Sequence, residues 1–171
     1  KMGPLRINTL VELTGIKHST CSRLVEELVQ AGLIYDSGLG ESTVGRKPAL
    51  YVIKPDSHYV IGIEISSLFI TVLLLDLKLN IIDESKLKMN ETSTPNYAID
   101  FICEQVKRML TERNLPKDRL LGIGIGAIGP INREKGTILS SEMKLQGCEE
   151  VNIIHDLQQR LQTMVLFDNG I

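Results

Sequence analysis

The chain has 171 residues, 43% hydrophobic and 4% aromatic, with a formal net charge of −2. That length suits one ordinary domain or a small and a medium one, and no apolar run approaches the roughly 20 residues a membrane helix needs. The charge excludes bulk cationic attraction to nucleic acid, yet it divides unevenly: residues 1–54 hold seven Lys/Arg against five Asp/Glu, giving +2, while the remainder carries −4.

From the N-terminus, Ile7, Leu10, Val11, Leu13 and Ile16 fall at helical spacing, broken at Gly15, where a short turn needs a permissive backbone. Cys21, Leu24, Val25, Leu28 and Val29 then repeat at i, i+3, i+4, i+7 and i+8, which predicts one buried stripe on a second helix. Its opposite face carries Lys17, His18, Ser19, Thr20, Ser22 and Arg23 first, and Glu26 and Glu27 later. A recognition helix needs this order, because its first turns approach base edges and phosphates.

Gly32 stops the helix, Leu33-Ile34-Tyr35 reads as a strand, Asp36 to Gly45 as a polar loop, and Ala49 to Ile53 as a returning strand. The pattern is a winged helix-turn-helix. Arg46 and Lys47 near the returning end of the wing are placed to meet phosphates or a minor groove. The competing reading of residues 1–54 is a helical packing module with a solvated basic loop.

Lys54-Pro55-Asp56-Ser57 reads as a linker to a second domain, 58–171. Tyr59–Ile65, Phe69–Asp76 and Ile81–Met89 predict an antiparallel meander. A helix follows on Ala98, Phe101, Ile102, Val106, Met109 and Leu110, with Pro116 beyond its end. Leu120–Ala127 is an almost wholly apolar strand, expected to be buried on both faces. A turn before Thr137-Ile138-Leu139, a helix near Ile153–Leu161 and a strand at Val165–Phe167 complete an order that fits one lobe of a ribonuclease-H-like α/β domain. Gly124-Ile125-Gly126-Ala127-Ile128-Gly129 satisfies the GxGxxG spacing, but Pro130 follows at once and no helix starts there, so a dinucleotide site is rejected.

Cys21, Cys103 and Cys148 are odd in number and lack CxxC spacing, which reads as reduced thiols in a cytoplasmic protein. His18, His58 and His155 have no ligand spacing, so no metal site is expected in this chain.

Thr14-Gly15-Ile16 into Ser22-Arg23-Leu24, Gly45-Arg46-Lys47-Pro48, Ile61-Gly62-Ile63-Glu64 and the run from Gly122 to Pro130 together resemble the ROK family, and within it the transcriptional repressors of the xylose and N-acetylglucosamine type. The resemblance spans nearly the whole chain, and since its members often carry an N-capping serine where Lys17 stands, it implies a helix start shifted toward Ser19. It implies a winged helix joined to a sugar-kinase-like domain of the actin-like ATPase fold, incomplete here. It further implies operator DNA and a small sugar effector as partners, a homodimer and no membrane. The family's zinc motif would lie beyond Ile171, leaving no cofactor within this chain, and the winged helix would lack its first helix.

Two departures from the ROK sugar kinases bear on chemistry. Glu64, Ile65, Ser66, Ser67 and Leu68 stand where the kinases have Asp-x-Gly-Gly-Thr, whose glycines let backbone N–H groups close on phosphates. Asp168, Asn169 and Gly170 match Glu-Asn-Asp, so a glycine occupies the place of the general base; a two-residue slip would instead put Asp168 there. Both disfavour an enzyme. For the sugar, the resemblance carries over Gly129 in the cleft loop, Lys144 where an asparagine is usual, and Asn169. Lys144 reads equally as a solvated lysine, and Asn169 as a turn cap. The alternatives are a ROK hexose kinase with an appended domain and a winged helix used only for protein contacts.

Overall fold

The structure, a computed structural model, describes residues 3–39, 49–90, 93–128, 131–132, 134–138 and 151–169. The chain divides into two compact units, Lys1–Ser57 and His58–Ile171.

In the first unit, α1 (Ile7–Thr14) ends where Gly15 takes a left-handed conformation and its N–H bonds to Val11 O at 2.9 Å. Three residues later α2 (His18–Gln30) begins. It closes through Gly32, at φ +70°, whose N–H reaches Val29 O at 2.9 Å while Leu33 N–H reaches Leu28 O at 3.0 Å. This double bond pattern satisfies carbonyls a helix end would otherwise orphan. β1 (Ile34–Leu39) and β2 (Ala49–Ile53) then pair antiparallel, and Leu5 and Tyr51 exchange backbone hydrogen bonds of 3.0 and 2.9 Å that tie the N-terminal segment to β2.

Three expectations need correction here. α2 buries only Cys21 and Val25, while Leu24, Leu28 and Val29 keep 37%, 40% and 39% of their surface exposed. A unit this small has too little partner surface to cover a stripe that wide. Asp36–Gly38 belongs to β1, because the Ser37 hydroxyl and the ladder to β2 supply partners that a polar-composition reading cannot foresee. The helix starts at His18, with Lys17 as an N-cap whose side chain makes no cap bond. Arg46, Lys47 and the remainder of the connection from 40 to 48 lie outside the described residues.

The second unit is built on a mixed sheet of five strands. β3 (Tyr59–Ile65), β4 (Phe69–Asp76) and β5 (Ile81–Lys88) form the antiparallel meander, and β6 (Leu120–Ala127) and β9 (Val165–Asn169) add in parallel on the other side of β3. α3 (Pro95–Glu112) starts on Thr94, whose hydroxyl accepts the Tyr97 N–H at 3.2 Å, with Pro95 in the first turn, where its missing N–H costs nothing. A 3-10 turn (Lys117–Arg119) leads into β6, a small hairpin of β7 (Ile131–Asn132) and β8 (Thr137–Ile138) follows, and α4 (Ile153–Leu161) precedes β9.

Ile61, Ile63 and Ile65 of β3, Ile70, Val72 and Leu74 of β4 and Ile123 and Ile125 of β6 form one core with Ile99, Ile102, Val106 and Met109 of α3 and Leu157 of α4. β6 is not buried on both faces as expected. Gly124 and Leu166 are exposed, and the register sets Glu84, Leu73, Gly62, Gly124 and Leu166 in one row across the outer face. Glycines are apolar by composition but bury nothing, so a Gly-rich strand imitates a two-sided one in sequence. Among the described residues no helix is long and apolar enough to cross a membrane.

Candidate functional site

α2 presents its first turn outward. Lys17, His18, Ser19 and Thr20 are exposed, and Ser22 is half-buried with its Oγ 3.4 Å from His18 Nδ1. Arg23 leans along the helix to Glu27, Nη1 to Oε1 at 2.6 Å, with both side chains more than half exposed. No acidic side chain occupies the first turn of α2, so the positive end of its dipole faces outward uncompensated. The six sequence-predicted residues of α2 therefore share one end of one helix.

A depression of about 250 Å³ opens beside it, lined by Arg6, Ile7, Asn8, His18, Ala49 and Tyr51. It brings the starts of α1 and α2 against β2, and Ala49 directly follows the Arg46-Lys47-Pro48 stretch. Arg6 and Asn8 were missed by pattern reasoning. The Leu5–Tyr51 bridge holds them against β2, in the depression that His18 also lines, and a single backbone bridge has no sequence signature.

In the second unit the parallel strands β3, β6 and β9 end together at Ile65, Ala127 and Asn169. The carboxyl ends of parallel strands are where α/β folds place ligands. At this edge Glu64, Gly126 and Asp168 share a row. Asn169 is exposed and pairs with Ala127, and its N–H bonds to Asp168 Oδ1 at 2.7 Å. Gly129, Lys144 and Gly170 lie outside the described residues.

The β3–β4 turn is closed on itself. Ser66 N–H bonds to Phe69 O at 2.9 Å, the Ser66 hydroxyl donates to the same oxygen at 2.9 Å, and Phe69 N–H returns to Ser66 Oγ at 3.1 Å. Leu68 projects with half its surface exposed. The N–H groups of Ser66 and Phe69 are thus both engaged within the turn. Among the described residues no three His, Cys, Asp or Glu side chains gather as a metal site.

Relatives cover both units. The chain is 24% identical to the xylose repressor of Bacillus subtilis over 169 residues, 99% of this chain and 43% of the repressor. It is 28% identical to the xylose repressor of Caldicellulosiruptor bescii over 165 residues, 96% of this chain and 40% of that protein. The chain thus spans less than half the length of either relative.

Among solved structures, a ROK family transcriptional regulator described as a homologue of the E. coli MLC protein superposes on 98% of this chain and 42% of its own, with TM-score 0.70 and 16% identity. The ROK hexokinase of Thermus thermophilus superposes on 65% of this chain and 35% of its own, with TM-score 0.53 and 18% identity. The sequence pattern of the ROK family matches residues 60–171, which is most of the chain and nearly all of its second unit. By that match the chain belongs to the ROK family.

Proposed function

We propose that this chain is the DNA-binding and first-lobe portion of a sugar-responsive transcriptional repressor acting on a carbohydrate-utilisation operon, and that it is not a kinase. The observation that carries the reading is the extent of the likenesses. Those to the two xylose repressors and to a transcriptional regulator cover 99%, 96% and 98% of the chain, whereas that to the hexokinase covers 65% of it.

Residues 1–54 act as a winged helix-turn-helix. The first turn of α2 enters a major groove, with Thr20, Ser22 and Arg23 toward base edges and Lys17, His18 and Ser19 toward the backbone. Arg46 and Lys47 anchor the wing. A small sugar binds at the carboxyl edge of β3, β6 and β9, with Asn169 contributing and Gly129 and Lys144 bordering the cleft. Its binding changes the relative placement of two such modules in a homodimer, and with it operator affinity. The closed β3–β4 turn supports the non-enzymatic reading, since it leaves fewer backbone donors for a nucleotide phosphate.

The test uses the intact protein and the promoter region of its own operon, titrated across salt with and without a panel of sugars. A marked preference over random DNA is expected, with release by one sugar. No preference at any salt concentration overturns the proposal. A coupled ATP assay on the same panel serves the rival reading, and robust phosphotransfer would establish a kinase.

A further inference from the structure

A cavity of about 450 Å³ lies where α3, α4 and the segment before β6 meet. Its lining includes the aliphatic side chains of Val106, Leu110, Leu115, Leu120 and Leu161, three of them buried and two half-buried. Lys107, Lys117 and Arg160 complete the charged part of the lining, and every other lining residue is neutral. The size falls within the range of small-molecule sites, which are mostly apolar with a few polar groups to fix orientation.

The charges are compensated only in part, Lys107 and Arg160 also bordering a neighbouring depression that holds Asp100 and Glu104. Arg160 is taken by Asp100, but among the described residues none of the ion pairs involves Lys107 or Lys117, and the contact of Lys117 Nζ is to the neutral Gln162 Oε1 at 3.4 Å. An apolar hollow bordered by cations and lacking carboxylates favours a ligand with an apolar body and one anionic end. A neutral apolar ligand would leave the cations unused, and a compact inorganic anion would leave the aliphatic lining wet.

The location separates this cavity from the proposed sugar site. Leu120 opens β6 and Ala127 ends it, so at ~3.3 Å per residue the two lie roughly 23 Å apart, at opposite ends of the strand.

We propose that the α3–α4 cavity is a binding site for a free aliphatic carboxylate, with Lys107 and Lys117 recognising the carboxylate and the aliphatic lining taking the chain. The two lysines are exposed, so replacing them leaves the fold intact.

Isothermal titration of the intact protein compares octanoate, octanol and inorganic phosphate, each against wild type and Lys107→Gln/Lys117→Gln. Octanoate should bind saturably at one site and about tenfold more weakly to the double variant. Octanol should bind weakly and indifferently to the substitutions, and phosphate should not bind. Thermal denaturation of both proteins without ligand should coincide, with octanoate raising the midpoint of the wild type more. Absence of saturable octanoate binding, equal affinity for the variant, or phosphate binding as tight as octanoate each overturns the proposal. None of these outcomes bears on whether the protein binds DNA or sugar.

Discussion

Gly136 joins two elements through the space it leaves empty. Its φ is +63°, and a Cβ there would sit 2.6 Å from Asn152 Oδ1. That oxygen accepts the His155 N–H at 2.8 Å and caps α4. Gly136→Ala therefore meets a backbone penalty of about 1 kcal/mol and displaces a cap contributing about 1 kcal/mol more. Chemical denaturation should show a loss of about 2 kcal/mol, against about 1 kcal/mol for Asn152→Ala. At Arg23 the issue is availability. Its pairing with Glu27 is exposed on both sides and contributes no more than about 0.5 kcal/mol, so it yields readily to a phosphate or base. Glu27→Gln should tighten DNA binding several-fold at low salt, and Arg23→Ala should weaken it about tenfold, both read by fluorescence anisotropy. Unchanged affinity in both variants would remove Arg23 from the interface.

β5 is held to α3 by a polar clamp. Arg108 donates to Ser85 Oγ at 3.0 Å, to Gln105 Oε1 at 2.9 Å and to Glu112 Oε2 at 2.6 Å, while Arg113 Nε reaches Asp83 Oδ2 at 3.1 Å. Burial pushes the Asp83 carboxyl up, but hydrogen bonds from Arg113 and Arg108 outweigh it and leave the group below the usual carboxylate range. A depressed folded value means that the contribution is complete above the unfolded value, near pH 4, and is lost as pH falls through the lower folded value. Asp83→Asn should cost about 1 kcal/mol at neutral pH. The difference between variant and wild type should shrink on acidification; a pH-independent difference would refute the electrostatic account. None of this clamp was legible in the sequence, because Asp83 and Arg108 sit on ordinary polar faces and only the tertiary fold brings them together. The elements themselves were legible wherever periodicity was strong, as in α3 with its apolar positions from Ala98 to Leu110. Legibility failed where composition misleads, as with the glycines of β6 and the polar end of β1. The exposure of the polar first turn of α2 was readable from its order of side chains. Arg6 and Asn8 were not, because their place depends on pairing with β2.

Over the whole chain, the helix-covered face of the sheet is dry and the other is not. Leu166 keeps 63% of its surface and lies in a row with Gly124, Gly62 and Leu73. Charges break up that face, Glu84 in the same row and Lys86, Glu64 and Asp168 in the next, so Leu166 stands as a single exposed apolar side chain rather than part of a patch. Leu166→Lys should therefore leave the thermal midpoint within about 1 °C of the wild type, as surface substitutions usually do. A marked loss on thermal denaturation would contradict this. The strand order has a further consequence, for synthesis on the ribosome. β3, β4 and β5 are neighbours in both sequence and space, so their meander forms as soon as it emerges. The other edge of β3 waits for β6, which is made only after the whole of α3. For that interval the future centre of the sheet is an unpaired apolar edge, open to any strand that reaches it first. A nascent chain arrested between α3 and β6 should therefore aggregate, and release from that state should follow the emergence of Leu120–Ala127.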